Sequence, residues 1–160
     1  MSTRSATIIY QEREKFRETE GGWYEFDGMK DVEIARFYRH CDGYPDGHGL
    51  HMAYSFLKCD RESYDGRNWF QVLLGGFMCG LGLYDTPFAN WGAPRIEFEE
   101  VGYEHGDIEY LYTIKGDRKG EVEMAVYKIG WDERYDDALA HEPMFRGTPA
   151  EYIAWQVKEG

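Results

Sequence analysis

Three stretches in the second half of the chain constrain its fold more than anything else. "RIEFEEVGY" (95–103), "IEYLYTIKG" (108–116) and "EVEMAVYKIGW" (121–131) alternate apolar and polar residues over strand lengths. Side chains on a strand point to opposite faces in turn, so this period of two asks for a sheet with one face packed. "EHGD" separates the first two and "KGDRKG" the second pair. Gly and Asp suit hairpin turns, so an antiparallel meander with a partly wet outer face is expected. Upstream, "ATIIYQ" (6–11) reads as a first strand and the charged "EREKFRETEGG" (12–22) as a loop. Trp23 to Phe26 reads as a short strand before "DGMK". "DVEIARFYRH" (31–40) has apolar residues on both faces, as a central strand covered on both sides would.

Two further segments look helical. "LHMAYSFLKC" (50–59) carries Leu50, Tyr54 and Leu57 at helical spacing, and "NWFQVLLGGFMCGLGLY" (68–84) is apolar all round, as in a buried helix. In "GTPAEYIAWQVKEG", Thr148 as N-cap, Pro149 at the first helical position and Glu151 three residues on form a capping box. The sum is an α+β fold: a mainly antiparallel sheet of about five strands with two or three packed helices, in a single domain over residues 1–160.

Charge and composition narrow the function. The net charge is -12, from 30 acidic and 18 basic residues. Nonspecific nucleic-acid binding needs clustered Lys and Arg and is disfavoured. A basic protein partner, or mimicry of a nucleic acid's charge, is allowed, although the acids are spread along the chain as simple solubility would have them. The opening residues carry no apolar core of a secretory signal, and the most apolar run, Trp69 to Tyr84, is too short for a membrane span. The expected setting is the cytoplasm. Cys41, Cys59 and Cys79 make an odd count without a CxxC pair, which fits reduced thiols. His48 and His51, flanked by Cys41 and Cys59, match no usual zinc spacing, so neither metal nor cofactor is expected. No P-loop, dinucleotide fingerprint or GxSxG elbow is present.

"YRHCDGYPDGHG" (38–49) stands apart. Placed between a strand and a helix, it would bring backbone N–H groups to a helix N-terminus, where anions are stabilised. Arg39, His40 and His48 could hold a phosphate or carboxylate, with Tyr38 and Tyr44 stacking on a ring. Asp42 and Asp46 could orient those cations or act as acid or base. The candidate ligand site is therefore Tyr38, Arg39, Asp42, Tyr44, Asp46 and His48. A plain turn explains nearly as much, since Asp-Gly and Pro-Asp-Gly are ordinary turn chemistry.

Ser2-Thr3-Arg4-Ser5, followed by Tyr38-Arg39, Asp42-Gly43-Tyr44-Pro45 and Gly47-His48-Gly49, resembles a family of small proteins of tailed phages and their bacterial hosts. Members share the order of the glycine-containing apolar segment and a late "HGDIEYLYTI" (105–114). His40 and Cys41 depart from that pattern. The resemblance implies a phage accessory protein without an assigned activity. Three functions follow. The first is a binding protein that interferes with a host defence system, holding a host protein or a small anionic ligand such as a nucleotide. The second is an enzyme on a nucleotide or phosphate ester, with His48 or His40 as acid/base and Arg39 on the phosphate. The third is an acidic nucleic-acid mimic built on Glu97, Glu99, Glu100, Glu104 and Asp107. A homodimer through a sheet edge, or through Trp23, Trp91 or Trp131, is left open.

Overall fold

The computed structural model describes residues 3–40, 43–58, 96–117 and 120–159. Asp42, the three cysteines, Trp91 and the helix expected at 68–84 lie outside them. Strands β1 (Ser5–Glu18), β2 (Tyr24–Arg39), β3 (Ile96–Glu99), β4 (Tyr110–Gly116), β5 (Val122–Lys128) and β6 (Phe145–Gly147) form one sheet in the order β3-β2-β1-β4-β5-β6. Helix α1 spans Leu50–Lys58, α2 Tyr135–Ala140 and α3 Pro149–Glu159.

The class is α+β, but among the described residues the sheet has six strands and is mixed. β1 pairs in parallel with β4, from Ser5 opposite Tyr110 to Gln11 opposite Gly116, and every other pairing is antiparallel. The expected meander holds only for β4 and β5. β3 lies on β2 at the far edge, Arg36 opposite Glu99, so "EHGD" is no hairpin. The reason is burial on two faces. Ala6, Ile8 and Ile9 of β1 and Leu111, Tyr112 and Ile114 of β4 are all buried. Strands apolar on both sides take the middle of a sheet and pair with each other.

Charge also hid a strand. Of "EREKFRETEGG" only residues 19–22 turn, because β1 continues to Glu18 and pairs with β2 back to Tyr24. Lys15 reaches Asp27 at 2.8 Å and Arg17 reaches Glu25 at 3.8 Å. The rings of Phe16 and Phe26 meet edge-on at 6.2 Å. Gly28 (φ 93) sits at the register shift between Glu14 and Phe16, so "DGMK" is a bulge inside β2 rather than a break between two strands. The result is a two-stranded arm reaching past the sheet.

Each sheet face carries a core. On one, α1 and α3 cover Ile9, Phe37, Tyr112, Ile114, Met124 and Val126. On the other, α2 packs Tyr135 and Ala138 against Ala6, Ile8, Tyr38, Leu111 and Tyr127. α1 turns Met52, Ala53 and Phe56 inward, while Tyr54 and Leu57, expected on one stripe, are half exposed. The capping box of α3 forms as expected. The Thr148 N–H donates to Glu151 Oε2 at 2.7 Å, and the Glu151 N–H donates to Thr148 Oγ1 at 3.3 Å. Among the described residues, no helix is long and apolar enough to cross a membrane.

Candidate functional site

β2 delivers Tyr38 and Arg39 to opposite faces of the sheet, because neighbours on a strand alternate. Arg39 and His48 meet on the α1 side. Arg39 Nη1 donates to His48 Nδ1 at 2.9 Å, and His48 Nε2 lies 3.4 Å from Thr7 Oγ1. All three residues are buried. With Nδ1 accepting, the ring proton sits on Nε2 and points at Thr7. Burial, then the Arg39 charge and His51, hold the His48 imidazole well below its ordinary pKa, so it is neutral.

A single π-helical turn, Pro45–Gly49, carries His48 inward ahead of α1. The Tyr44 carbonyl accepts from the N–H groups of Gly47 (3.1 Å) and Gly49 (3.3 Å). The core then clamps this loop from below. Tyr112 Oη donates to the Gly43 carbonyl at 2.8 Å, and Tyr152 Oη donates to the Pro45 carbonyl at 3.0 Å. The Gly43 N–H donates to the Thr3 carbonyl at 3.0 Å. A Cβ on Gly49 would stand 2.0 Å from Tyr152 Oη. Its glycine therefore serves close packing on a core tyrosine. Tyr44 and Asp46 lie on the outer rim, exposed. Of the five candidates among the described residues, then, the fold joins Arg39 with His48, sets Tyr44 and Asp46 outside, and sends Tyr38 elsewhere.

Tyr38 stacks on His105 with ring centroids 3.8 Å apart and has His40 edge-on at 4.6 Å. Its hydroxyl donates to Asp107 at 3.4 Å, and burial, with the Asp107 charge second, pushes its pKa up to about 12. His105 Nε2 pairs with Glu99, and Nδ1 lies 3.9 Å from Asp107. Asp107 also pairs with Arg4, and Glu104 with Arg134 at 3.6 Å. Three of the carboxylates expected in a phosphate-like array are thus drawn into pairs with cations and with His105. Glu99 is largely buried as well. Sequence reading passed over His105, since "EHGD" looked like turn chemistry. No group of three or more His, Cys, Asp or Glu side chains among the described residues is placed to hold a metal ion.

An exposed aromatic surface lies on the arm. Phe16 and Phe26 stand opposite each other, and Tyr24 stands opposite Glu18, so Phe16, Tyr24 and Phe26 share one face. They are 52%, 69% and 61% exposed, and Trp23 at the turn is 78% exposed. At the base of the arm, where β4 leaves β1, a cleft of about 580 Å³ opens. Glu12, Asp31, Asp117, Glu121, Glu123 and Glu151 line it against Lys115 and Arg146. The arm's signal in the sequence was the alternating sign of "EREKFRE", a strand period written in charge.

No family model, no curated protein and no solved structure matches the chain.

Proposed function

We propose that this chain is a binding protein that acts by holding a protein partner. The observation that carries the reading is the aromatic face of the arm, Phe16, Tyr24 and Phe26 with Trp23 at the tip, held out in solvent beyond both cores. Exposed clusters of large aromatic side chains mark interaction sites, and aromatics dominate binding energy at interfaces. The resemblance of the loop to small phage-associated proteins supplies a setting, in which the partner is a host protein, one serving defence, in the host cytoplasm. A small anionic ligand or nucleotide at Tyr38–Gly49 has less support. Arg39 donates inward to His48, His48 is neutral, and Tyr38 lies on the other face. The same enclosure weakens the reading of an enzyme on a phosphate ester.

The test is affinity capture from lysate of a phage-susceptible bacterium, with crosslinks mapped by mass spectrometry. The native chain, Phe16→Ser/Tyr24→Ser/Phe26→Ser and Arg39→Ala/His48→Ala are compared, and each is extracted for bound small molecules. A partner crosslinked to the arm and lost only in the aromatic variant is the expected result. A nucleotide that co-purifies with the native chain and is lost from the Arg39/His48 variant would overturn it.

A further inference from the structure

The tip of the arm is a tight turn with an indole laid against it. The Thr19 N–H donates to the Trp23 carbonyl at 2.8 Å, and Thr19 Oγ1 donates to the same carbonyl at 3.0 Å. The Gly22 N–H donates back to the Thr19 carbonyl at 2.9 Å. Gly22, at φ 74, takes the left-handed backbone that closes such a turn without strain. A Cβ on Gly21 would stand 3.4 Å from Trp23 Cδ1, so the Trp23 ring rests on the turn backbone next to Glu20. One edge of the ring meets the chain while most of the residue stays in solvent.

Across the strands, Glu18 stands directly opposite Tyr24, on the face that Phe16 and Phe26 share. From 16 to 26 the sequence holds three acids, Glu18, Glu20 and Glu25, against one cation, Arg17. Arg17 belongs to the other face, where it reaches Glu25 at 3.8 Å. Among the described residues, no ion pair engages the exposed carboxylates of Glu18 and Glu20. A partner that covers Trp23 and Tyr24 takes both carboxylates out of water as well. A carboxylate so covered is costly unless a cation and hydrogen bonds meet it, and a purely apolar partner surface supplies neither. A guanidinium meets both demands. Its flat face stacks on an indole or phenol ring, and its N–H groups hold a carboxylate two at a time.

We propose that the tip, Glu18–Tyr24, is a docking surface for an arginine-bearing segment of the partner protein. The guanidinium lies on the Trp23 and Tyr24 rings and pairs with the carboxylates beside them. This deepens the reading of a protein-binding arm and rests on it. Lysine fits less well, because an ammonium is a compact, strongly hydrated charge without the flat fork.

The probe is a capped, labelled peptide of Gly and Ser carrying two Arg, followed by fluorescence anisotropy at low salt. In one control each Arg is replaced by citrulline, which keeps the shape and loses the charge; in another it is replaced by Lys. The Arg peptide is expected to bind about tenfold tighter than the citrulline peptide, with the Lys peptide between them. Trp23→Ser keeps the charge of the tip, and Glu18→Gln/Glu20→Gln keeps its rings. Each should bring the Arg peptide down to the citrulline level. Asp137→Asn/Glu142→Gln removes the same charge from exposed positions elsewhere and should change nothing. Circular dichroism checks the fold of each variant. Equal binding of the Arg and citrulline peptides, no effect of Trp23→Ser, or an equal loss in the Asp137/Glu142 variant overturns the proposal. So does sedimentation of the native chain with phosphatidylcholine vesicles that Trp23→Ser abolishes, since the tip would then be a lipid anchor. A crosslinked lysate partner lost with Phe16→Ser/Tyr24→Ser/Phe26→Ser, yet kept by Trp23→Ser and by Glu18→Gln/Glu20→Gln, would remove the arginine site alone and leave the protein-binding reading standing.

Discussion

His48 is uncharged in the fold, and that has a cost at low pH. The unfolded chain takes up a proton near the ordinary imidazole value of about 6.5, whereas the folded site resists it because burial and Arg39 both disfavour the cation. Below that pH the unfolded state binds more protons, so stability falls as the solution is acidified, and it is fully present above it. The slope from this one group approaches about 1.4 kcal/mol per pH unit until the folded value is reached. Thermal melting of the native chain and of His48→Gln across mildly acidic pH should show a shallower acid limb in the variant. Identical limbs would remove His48 from the pH response. The neighbouring glycine gives a second check at this scale. Gly49→Ala forces a Cβ into Tyr152 Oη, itself locked in the core, and overpacking of this kind costs about 1–3 kcal/mol. Asp46→Ala, on the rim of the same turn, should leave the melting temperature nearly unchanged. Should Asp46→Ala destabilise as much as Gly49→Ala, the loop would not be the core-clamped turn described.

At the scale of elements, Thr148→Ala should lower stability by about 1 kcal/mol in a urea titration. It removes the hydroxyl that accepts the Glu151 N–H and leaves the first turn of α3 uncapped. No loss would mean that water replaces the cap. The cap was legible because all of its information lies in four consecutive residues. The strand-to-helix placement of the 38–49 loop was legible for the same reason. What failed was non-local. "EREKFRETEGG" reads as a loop until its charges find Glu25 and Asp27 on another strand. The β3–β4 hairpin failed because the choice of sheet neighbour depends on which strands are buried on both faces, and spacing along the chain does not report that. In α1, Leu50, Tyr54 and Leu57 shared a stripe, but the sheet selected Met52, Ala53 and Phe56, and of the expected stripe only Leu50 packs against them. The candidate site divided for a related reason. Tyr38 and Arg39 are adjacent in sequence, and a strand makes adjacency mean opposite faces.

Across the whole molecule, stability is concentrated where both faces of the sheet are covered. β1 passes from that region into the arm without a break, since residues 5–9 are buried and residues 13–18 are exposed. An isolated two-stranded hairpin is marginal in water, so the arm's hydrogen bonds open far more readily than those of the covered strands. Hydrogen exchange should therefore divide a single strand in two. Amides of residues 6–11, 110–116 and 122–128 should exchange only on global unfolding, while those of 13–18 and 24–27 should exchange orders of magnitude sooner. Removing the arm by joining Arg13 to Lys30 through a two-residue Asn-Gly turn should leave the slow amides and the melting temperature almost unmoved. Slow exchange throughout the arm, or a large drop in melting temperature on its removal, would show that it belongs to the cooperative unit rather than projecting from it. The charge of -12 works in the same direction. Like charge on two copies opposes their association, even with four aromatic side chains exposed on the arm.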